Sequence, residues 1–477
     1  MASLRVIHVI ERLRLGGPLH ALAGASRHFS ADAPASHRIV SLLPADPRAI
    51  RQAEQSGMPV VSAPPADALH GHLADADIAQ LHFWNSPVVH AWMASELPPM
   101  RVLAWCHVNG LHAPHILSKS LFDFADIVAA SSELSLDLPV FRQADPEKVD
   151  FVLAGADFSR VEGAHPVAHD GINVGYVGLV DFVKMHPEFV KLCAAVNAAP
   201  IRFHVCGEGS SRNEVERQAR ELGIHDRFVF VDHAEDIRPV LSSFDIFGYP
   251  LCAETYATSE LALQEAMHAG VPPVVFSAGG LDKLVSDGRN GLVVTSDAEY
   301  VQAIERLCND SDERLRLGRN AAIDARQLFG AQRTARGLQS LYERLLRTPK
   351  RQRPESSPAA TNTAPSPGAW ALVRSLDGIG DSDLLASLRA SGAGDVAADD
   401  RIARAGPGLS SVILQYRLHY PHDPHLRLWA GLLFAHAGRR ALAAAEFKAC
   451  LDLGLDQPRL HRYFSAVASP VQSRVQL

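Results

Sequence analysis

Hydrophobic patterning divides the chain before any chemistry is considered. "LRVIHVI" (4–10) is a continuous apolar run of strand length, and "LGGPLHALAGASRHF" after it reads as a glycine turn into a helix. Strand, glycine turn and helix predict the opening of a parallel α/β layer. Strand-like runs recur at "RIVSLL" (38), "DIAQLHF" (77), "RVLAWCHV" (101) and "DIVAASS" (126), with helical or loop segments between them. One doubly wound domain is therefore expected over residues 1–165. A second series begins at "INVGYVGLV" (172–180). A helix at "HPEFVKLCAAVNA", a strand and turn at "IRFHVCGEG" and a helix at "RNEVERQARELGI" follow, then strands at "RFVFVD", "DIFGYP" and "PPVVF" and a helix at "AEYVQAIERLCND". This predicts a second α/β domain over 166–347. Two such domains place a cleft at the carboxyl ends of both sheets, where ligands of these folds bind.

The pattern then stops. Residues 348–369, "TPKRQRPESSPAATNTAPSPG" and its flank, are rich in Pro, Ser, Ala and Thr without apolar periodicity and read as a flexible linker. Beyond it, 370–477 is predicted helical. In "LRLWAGLLFAHAGRRALAAAEFKACLDLGLD" (426–456), Gly431, Phe434, Gly438, Ala443 and Phe447 fall where a tetratricopeptide repeat puts its small and aromatic positions, across two antiparallel helices. A single repeat cannot bury its own face, so neighbouring helices or the α/β part must cover it. A generic helical bundle is the alternative.

Composition narrows the class. At 477 residues the chain is too long for one ordinary core, and 47% hydrophobic with 21% charged residues describes a soluble globular protein. A formal charge of −7, with no basic block in the first 340 residues, carries no nucleic-acid footprint. The one basic run, Arg344, Arg347, Lys350, Arg351 and Arg353, reads as a solvated linker edge, with at most a peripheral contact to an anionic membrane as the alternative. Six scattered cysteines without a Cys-x-x-Cys pair look like small buried hydrophobes in a reducing compartment. The amino-terminal apolar run is broken by Glu11 and Arg12, so no signal peptide is expected, and no stretch reaches spanning length. Cytoplasm is the default location.

Candidate chemistry gathers at the predicted strand ends. Gly16 and Gly17 close the first strand and open a helix, where bare backbone lets an anionic group approach the helix amino terminus. Gly207 and Gly209 form a second such turn, and Lys184 on the loop of "GLVDFVKMHPEF" can meet a phosphate as a point charge. "ETYATSELALQEAMHAGVPPVVF" (254–276) places Glu254, Glu260 and Glu265 near the start of one short helix. If that helix runs from a Thr258 or Ser259 cap to Gly270, Ala262, Leu263, Ala266 and Met267 form its apolar face and Glu260, Gln264 and His268 its wet one. Glu265 lies at the boundary, where a partner explains an acid better than solvation does. Asp75 with Asp77, and Asp381 with Asp383, read as caps or turns rather than metal pairs.

The stretches "VGYVGLVDFVKMHPEFV", "FHVCGEGSSRNEVERQARELGIHDRFVFVDHAEDIRPVLSSFDIFGYP" and "LQEAMHAGVPPVVFSAGGLDKLVSDGRNGLVV" resemble the nucleotide-sugar-binding domain of glycosyltransferase family 4, retaining transferases of GT-B fold. "IHVIERLRLGG" and "DIAQLHFWNSP" are similar to that family's first domain. The resemblance covers about two thirds of the chain and implies a GT-B-type pair of doubly wound Rossmann-like domains facing a cleft, with a small all-α region appended.

By that resemblance, Glu265 binds the donor's ribose hydroxyls, a role that suits an acceptor-only carboxylate facing a diol. Lys184 neutralises the donor diphosphate and supports its departure. Gly16 and Gly17 close over the diphosphate, and His107 lies near the donor sugar, with His112 and His115 close enough in sequence to leave the assignment open. Three departures accompany the likeness. The family arginine is Leu179 here, with Arg212 as the candidate to replace it. The first family glutamate falls on Ala257, so Glu254, Glu260 or the Thr258 and Ser259 hydroxyls would take its place. The acid of the GG loop is Lys283.

The implied function is a metal-independent, retaining transfer of a sugar from a nucleotide-sugar donor to an unidentified acceptor: a glycan, a lipid-linked glycan or a protein. No cofactor is expected, and the helical region would contact a protein partner or a protein acceptor, or pack onto the transferase. The competing expectation is a non-catalytic GT-B-fold scaffold, which Leu179 and the displaced glutamate favour. A nucleotide-sugar epimerase is a third, for which no paired acid and base is present.

Overall fold

A computed structural model describes residues 4–29, 35–198, 200–232, 234–353, 366–390 and 396–468. It resolves into two compact units, Met1–Phe83, Pro98–Leu111 and Leu121–Gln352 in the first, and Trp84–Leu97, His112–Ser120 and Arg353–Leu477 in the second.

The first unit contains both α/β layers. Strands β1 (Leu4–Ile10), β2 (Ala35–Ser41), β3 (Val60–Ser62), β4 (Ile78–Phe83), β5 (Val102–Cys106), β6 (Ile127–Ala130) and β7 (Val149–Phe151) form a sheet in the order β3-β2-β1-β4-β5-β6-β7. Strands β8 (Ile172–Val177), β9 (Ile201–Cys206), β10 (Phe228–Val231), β11 (Ile246–Tyr249), β12 (Pro273–Phe276) and β13 (Leu292–Val294) form another in the order β10-β9-β8-β11-β12-β13. Every strand pair is parallel. Both sheets reverse their winding at the same place, between β1 and β4 in one and between β8 and β11 in the other. That reversal opens a crevice at the carboxyl ends of the strands.

The long apolar runs became the central strands, as expected of a sheet covered on both faces. The edge strands β3 and β7 escape a reading of the sequence because they are three residues long and only partly buried. Helix Ala331–Leu346 lays Leu338, Leu341, Tyr342 and Leu345 against Val6, Ile78, Leu103 and Trp105 of the first sheet, although it follows the second sheet in sequence. The chain thus crosses between the domains twice.

The outgoing crossing, 153–157, is held by side chains from the second domain. Ser259 Oγ accepts from Ala154 N (3.0 Å) and donates to Ser131 O (3.1 Å). Gln264 accepts from Ala156 N and donates to Ala154 O, both at 2.9 Å, and Thr334 Oγ1 accepts from Gly155 N at 2.7 Å. A Cβ on Gly155 would stand 2.2 Å from Gly330 O, so the outgoing and returning crossings touch backbone to backbone. These bonds correct the expected wet face of the 254–276 helix. Gln264 is fully buried and Glu260 nearly so, because their polar ends have partners inside the protein.

The basic run is not a solvated edge. Arg344 pairs with Asp150 at 2.9 Å and Arg351 with Asp126 at 2.6 Å, while Arg351 and Met100 exchange backbone hydrogen bonds. Residues 348–351 are therefore fastened to the first α/β layer; 354–365 of the expected linker lie outside the described residues. Asp77 accepts from Arg5 N (2.9 Å) at the amino end of β4, and Asp381 stands at the N-cap position of helix Ser382–Arg389 without a side-chain cap bond, so these acids lie at a strand end and a helix end.

The second unit is helical, and Trp84–Leu97 and His112–Ser120, loops that leave the first sheet after β4 and β5, belong to it. Helix Pro87–Met93 comes from the first loop, and Ile116 of the second joins the unit's core. Asn85 donates to Pro114 O (2.6 Å) and Ser375 O (3.0 Å), tying both loops to helix Pro367–Leu376. Helices Pro424–His436 and Arg440–Asp452 form the expected hairpin. Phe447 is seated so closely over Gly431 that a Cβ there would meet its ring at 2.4 Å. Asp423 caps two helices at once, accepting from His425 N and Leu426 N with one oxygen and from Gly368 N and Ala369 N with the other. The core also buries an ion pair, Arg459 to Asp399 at 3.1 Å, both within 1% of full burial.

Candidate functional site

Three loops converge where the second sheet reverses its winding. The loop after β8 turns at Asp181, whose carbonyl accepts from Lys184 N (2.9 Å), and is zipped to the loop after β11 by Cys252 N to Lys184 O (2.8 Å) and His186 N to Pro250 O (2.9 Å). This pairing aims Lys184 across the crevice. Its Nζ lies 2.8 Å from Glu260 Oε2, both side chains being largely buried. The hydroxyl of Tyr249, the last residue of β11, donates to the same carboxylate oxygen at 2.5 Å. Burial alone would lower the lysine's pKa; attraction to Glu260 and the hydrogen bond between them outweigh it and hold the ammonium charged.

Glu260 owes its place to backbone geometry. It is the residue before helix Leu261–His268, with φ of +41° in the left-handed region that side-chain-bearing residues seldom occupy. The expected Thr258 or Ser259 cap is corrected accordingly: Glu260 occupies the cap position, no side chain caps the helix, and Ser259 is spent on the inter-domain crossing. Such strain persists where surroundings over-determine it, and here the partners are Lys184 and Tyr249.

The other acids are placed differently. Glu254 is exposed on its turn. Glu265 is buried at 6% exposure with its Oε1 3.0 Å from Arg160 Nη1. Burial raises its pKa to about 7 despite the opposing pull of Arg160, with Asp157 adding to the rise. Arg160, in "ADFSRV", and Tyr249, in "DIFGYP", were not singled out by sequence; each looks ordinary until the fold sets it beside a carboxylate.

Gly207 and Gly209 have a steric cause. A Cβ on the first would stand 1.9 Å from Gly178 O and on the second 2.1 Å from Val180 O, because the loops after β8 and β9 pack back to back. Gly16, at φ +150°, opens helix Gly17–Ser26 with empty space around it, and Gly17 faces Leu261 of the second domain at 3.9 Å from a built Cβ. Arg48 to Glu208 (3.5 Å) and Asn109 Nδ2 to Thr255 O (2.8 Å) and Ala257 O (3.0 Å) likewise join loops at the carboxyl ends of the two sheets. The two sheets face each other through these loops. Arg212 pairs with Glu216 and Asp232, each at 3.0 Å, and lies over Phe230. Leu179 is 40% exposed and Lys283 pairs with Asp282 at 3.6 Å. His107 Nε2 bonds His82 Nδ1 at 2.9 Å, and burial lowers its pKa to about 3. His112 and His115 belong to the second unit. Among the described residues no three His, Cys, Asp or Glu side chains are grouped to hold a metal ion.

Two facing doubly wound sheets with a buried lysine at the switch point define a GT-B architecture. Residues 171–310, within the second domain, match the family model of Glycosyl transferases group 1. The chain is 30% identical over 291 residues to a D-inositol 3-phosphate glycosyltransferase of Corynebacterium kroppenstedtii, an alignment covering 55% of this chain and 63% of that one. It therefore spans less than two thirds of that relative's length. Anabaena HepE, solved in complex with UDP and glucose, superposes with a TM-score of 0.60 at 16% identity over 72% of this chain and 100% of that one. A sucrose-phosphate synthase from Thermosynechococcus elongatus superposes with 0.58 at 19% identity over 72% and 100%. Both likenesses are of fold.

Proposed function

We propose that this protein is a glycosyltransferase that binds a nucleotide sugar at the switch point of its second sheet and transfers the sugar, with retention and without a metal, to an acceptor approaching from the first domain. The observation that carries the reading is Lys184: a charged, largely buried lysine at the carboxyl end of β8 in a group 1 domain. Departure of a nucleoside diphosphate develops negative charge, and a fixed ammonium in a low-dielectric crevice is well suited to stabilise it. Glu260 pairs with that ammonium, so the carboxylate has to yield when the diphosphate enters. Of the candidates for the first family glutamate, Glu260 is the one already at the lysine, while the exposed Glu254 is remote from it in role. Glu265 would meet a ribose diol by exchanging Arg160 for the two hydroxyls.

HepE's UDP and glucose make UDP-glucose the first donor to try. The relative's name makes an inositol phosphate the first acceptor. The cysteines are free, in keeping with a reducing, cytoplasmic setting, and no helix among the described residues is long and apolar enough to cross a membrane. The helical hairpin of the second unit, with its tetratricopeptide-like spacing, is the part we assign to a protein partner or acceptor.

The test is thermal stabilisation by a panel of UDP, GDP, ADP and TDP sugars, followed by mass spectrometry of products formed with the stabilising donor. Stabilisation by one nucleotide class, lost in Lys184→Ala, is expected. No stabilisation by any of them would overturn the reading in favour of a non-catalytic GT-B protein.

A further inference from the structure

Helix Ser311–Leu328 of the second domain carries aliphatic side chains on the side that faces water. Leu315 is 55% exposed and Ile323 49%. Neither is needed for packing. The helix buries Leu317, Gly318, Ala321 and Ala325, and Gly318 lies so close to the turn after helix Leu261–His268 that a Cβ would stand 2.2 Å from Gly270 O. Nor does helix formation call for Ile323, since a β-branched residue at a solvent-facing position is a poorer helix former than Ala, Gln or Lys. Single exposed leucines are ordinary on a protein surface; what surrounds these two is not.

At about 100° per residue, Leu315, Arg326, Arg319, Ile323 and Arg316 follow one another around an arc of roughly 100°, and all five are exposed. Leu315 and Ile323 lie about 12 Å apart along the axis. The acids of the same helix are turned inward and spent. Glu313 accepts from Arg306 Nε at 2.6 Å, and the buried Asp324 holds Arg289 at 2.7 Å, which leaves Asp312 in the first turn as the helix's one exposed acid. The arginines are little neutralised. Arg319 has no hydrogen bond or ion pair among the described residues. Arg326 donates to Ala322 O of its own helix at 3.0 Å, and Arg316 donates to Gly288 O at 3.1 Å and stands 3.4 Å from Glu313. The exposed Arg333, at the start of helix Ala331–Leu346, donates to Gln327 O and sets a fourth guanidinium at the carboxyl end. This is the reverse of the basic run at 344–353, where Arg344 and Arg351 reach acids of the first α/β layer.

We propose that helix Ser311–Leu328 is a membrane-surface helix, which lies flat on a bilayer of anionic phospholipid with Leu315 and Ile323 entering the acyl boundary and Arg316, Arg319, Arg326 and Arg333 on the lipid phosphates. A protein partner gains most from a continuous dry centre, and here Arg319 separates the two aliphatic side chains. A bilayer takes aliphatic tips one by one, while arginine stems lie along the interface and their guanidiniums bond phosphate oxygens in pairs. The formal charge of the whole chain is −7, so attraction to an anionic surface has to come from this face, and salt will screen it. The helix carries none of Lys184, Glu260 and Glu265, so the lipid contact stands or falls apart from the transferase reading.

The test is sedimentation of the full chain with phosphatidylcholine vesicles, with and without phosphatidylglycerol. Binding to the anionic vesicles, absent or much weaker on phosphatidylcholine alone and reduced by salt, is expected. Arg316→Gln, Arg319→Gln and Arg326→Gln together should lower the partition coefficient by roughly tenfold or more. Leu315→Gln with Ile323→Gln should lower it by roughly tenfold, since binding scales with the apolar area inserted. Leu222→Gln, which removes an exposed leucine elsewhere on the second domain, should leave it unchanged. Circular dichroism checks that each variant is folded. Leu315→Trp keeps an apolar tip and decides even where a glutamine variant does not fold: its added emission should shift to the blue on anionic vesicles and be quenched by lipid brominated on the acyl chains. A wild type left in the supernatant with both vesicles would overturn the proposal, as would added tryptophan emission that does not respond. Binding that the arginine variants lose and the folded aliphatic variants keep, matched by equal binding to heparin, would make the face a contact for a soluble polyanion or an acidic protein and overturn it as well.

Discussion

The two sheets of the first unit have the same winding and use burial differently. The first hides a row of neutral rings, those of His37, His8, His82 and His107, inside its own layer, each held by its neighbour, and carries no buried charge along that row. The second keeps its sheet apolar and aromatic and sets a charged pair, Lys184 and Glu260, at the strand ends, where a helix begins in strained geometry. The first arrangement is preorganised and has nothing to rearrange. The second is an ion pair closed on itself, which a stronger anion can open. One fold thus supplies a fixed wall and a responsive one on opposite sides of the same crevice.

Breaking the responsive wall should have the largest effect. Lys184→Ala is expected to lower kcat/KM by about 10²–10³-fold once the donor is known. It should also destabilise the chain by about 3–5 kcal/mol in denaturant unfolding, because Glu260 is left buried without its cation. Lys184→Met combined with Glu260→Gln should recover most of the stability and none of the activity.

Next comes Glu265. Its folded-state pKa of about 7 lies above that of an unfolded glutamate, so the native state holds a proton the unfolded state has released. The resulting stability is complete below about pH 4.5 and is lost as pH rises through about 7. Unfolding free energy of the wild type relative to Glu265→Gln should therefore fall by about 3 kcal/mol across that window; an equal pH profile for the two would contradict the burial argument. Glu260→Gln keeps a partner for Tyr249 and releases Lys184, so titration calorimetry should find the nucleoside diphosphate bound roughly tenfold more tightly, about 1.4 kcal/mol. The smallest effect belongs to the fixed wall. His37→Phe exchanges the orphaned His37 Nε2 for an orphaned His8 Nε2 and loses the hydrogen bond between the two rings while keeping the stack on Phe29, whose ring is 4.4 Å away, and should destabilise the chain by about 1 kcal/mol.

Much of this was legible in sequence. Runs such as "LRVIHVI" and "INVGYVGLV" announced central parallel strands because full burial leaves no alternation to confuse, and the glycine turns after them marked the ligand-facing ends. Lys184 was legible from its position after a strand. Its partner was not, since helical periodicity sets Glu260 on the wet face of its helix. The 254–276 segment shows why: helical periodicity describes one helix against one core, whereas Gln264, Ser259 and Glu260 answer to a crossing chain, a second sheet edge and a lysine more than seventy residues away. The basic run failed for the same reason, its arginines finding Asp150 and Asp126 far upstream.

By itself, then, the sequence determined two doubly wound layers, a helical appendix and the loops that border the crevice, because strand burial and turn chemistry are local properties. Only the tertiary structure decided which acid meets Lys184, that Glu265 is held by Arg160, and that the rings of His37, His8, His82 and His107, from four neighbouring strands, stand within hydrogen-bond distance of one another. Each of those is a pairing of polar groups brought together from distant positions, and a buried polar group takes whichever partner the fold sets within about 3 Å of it.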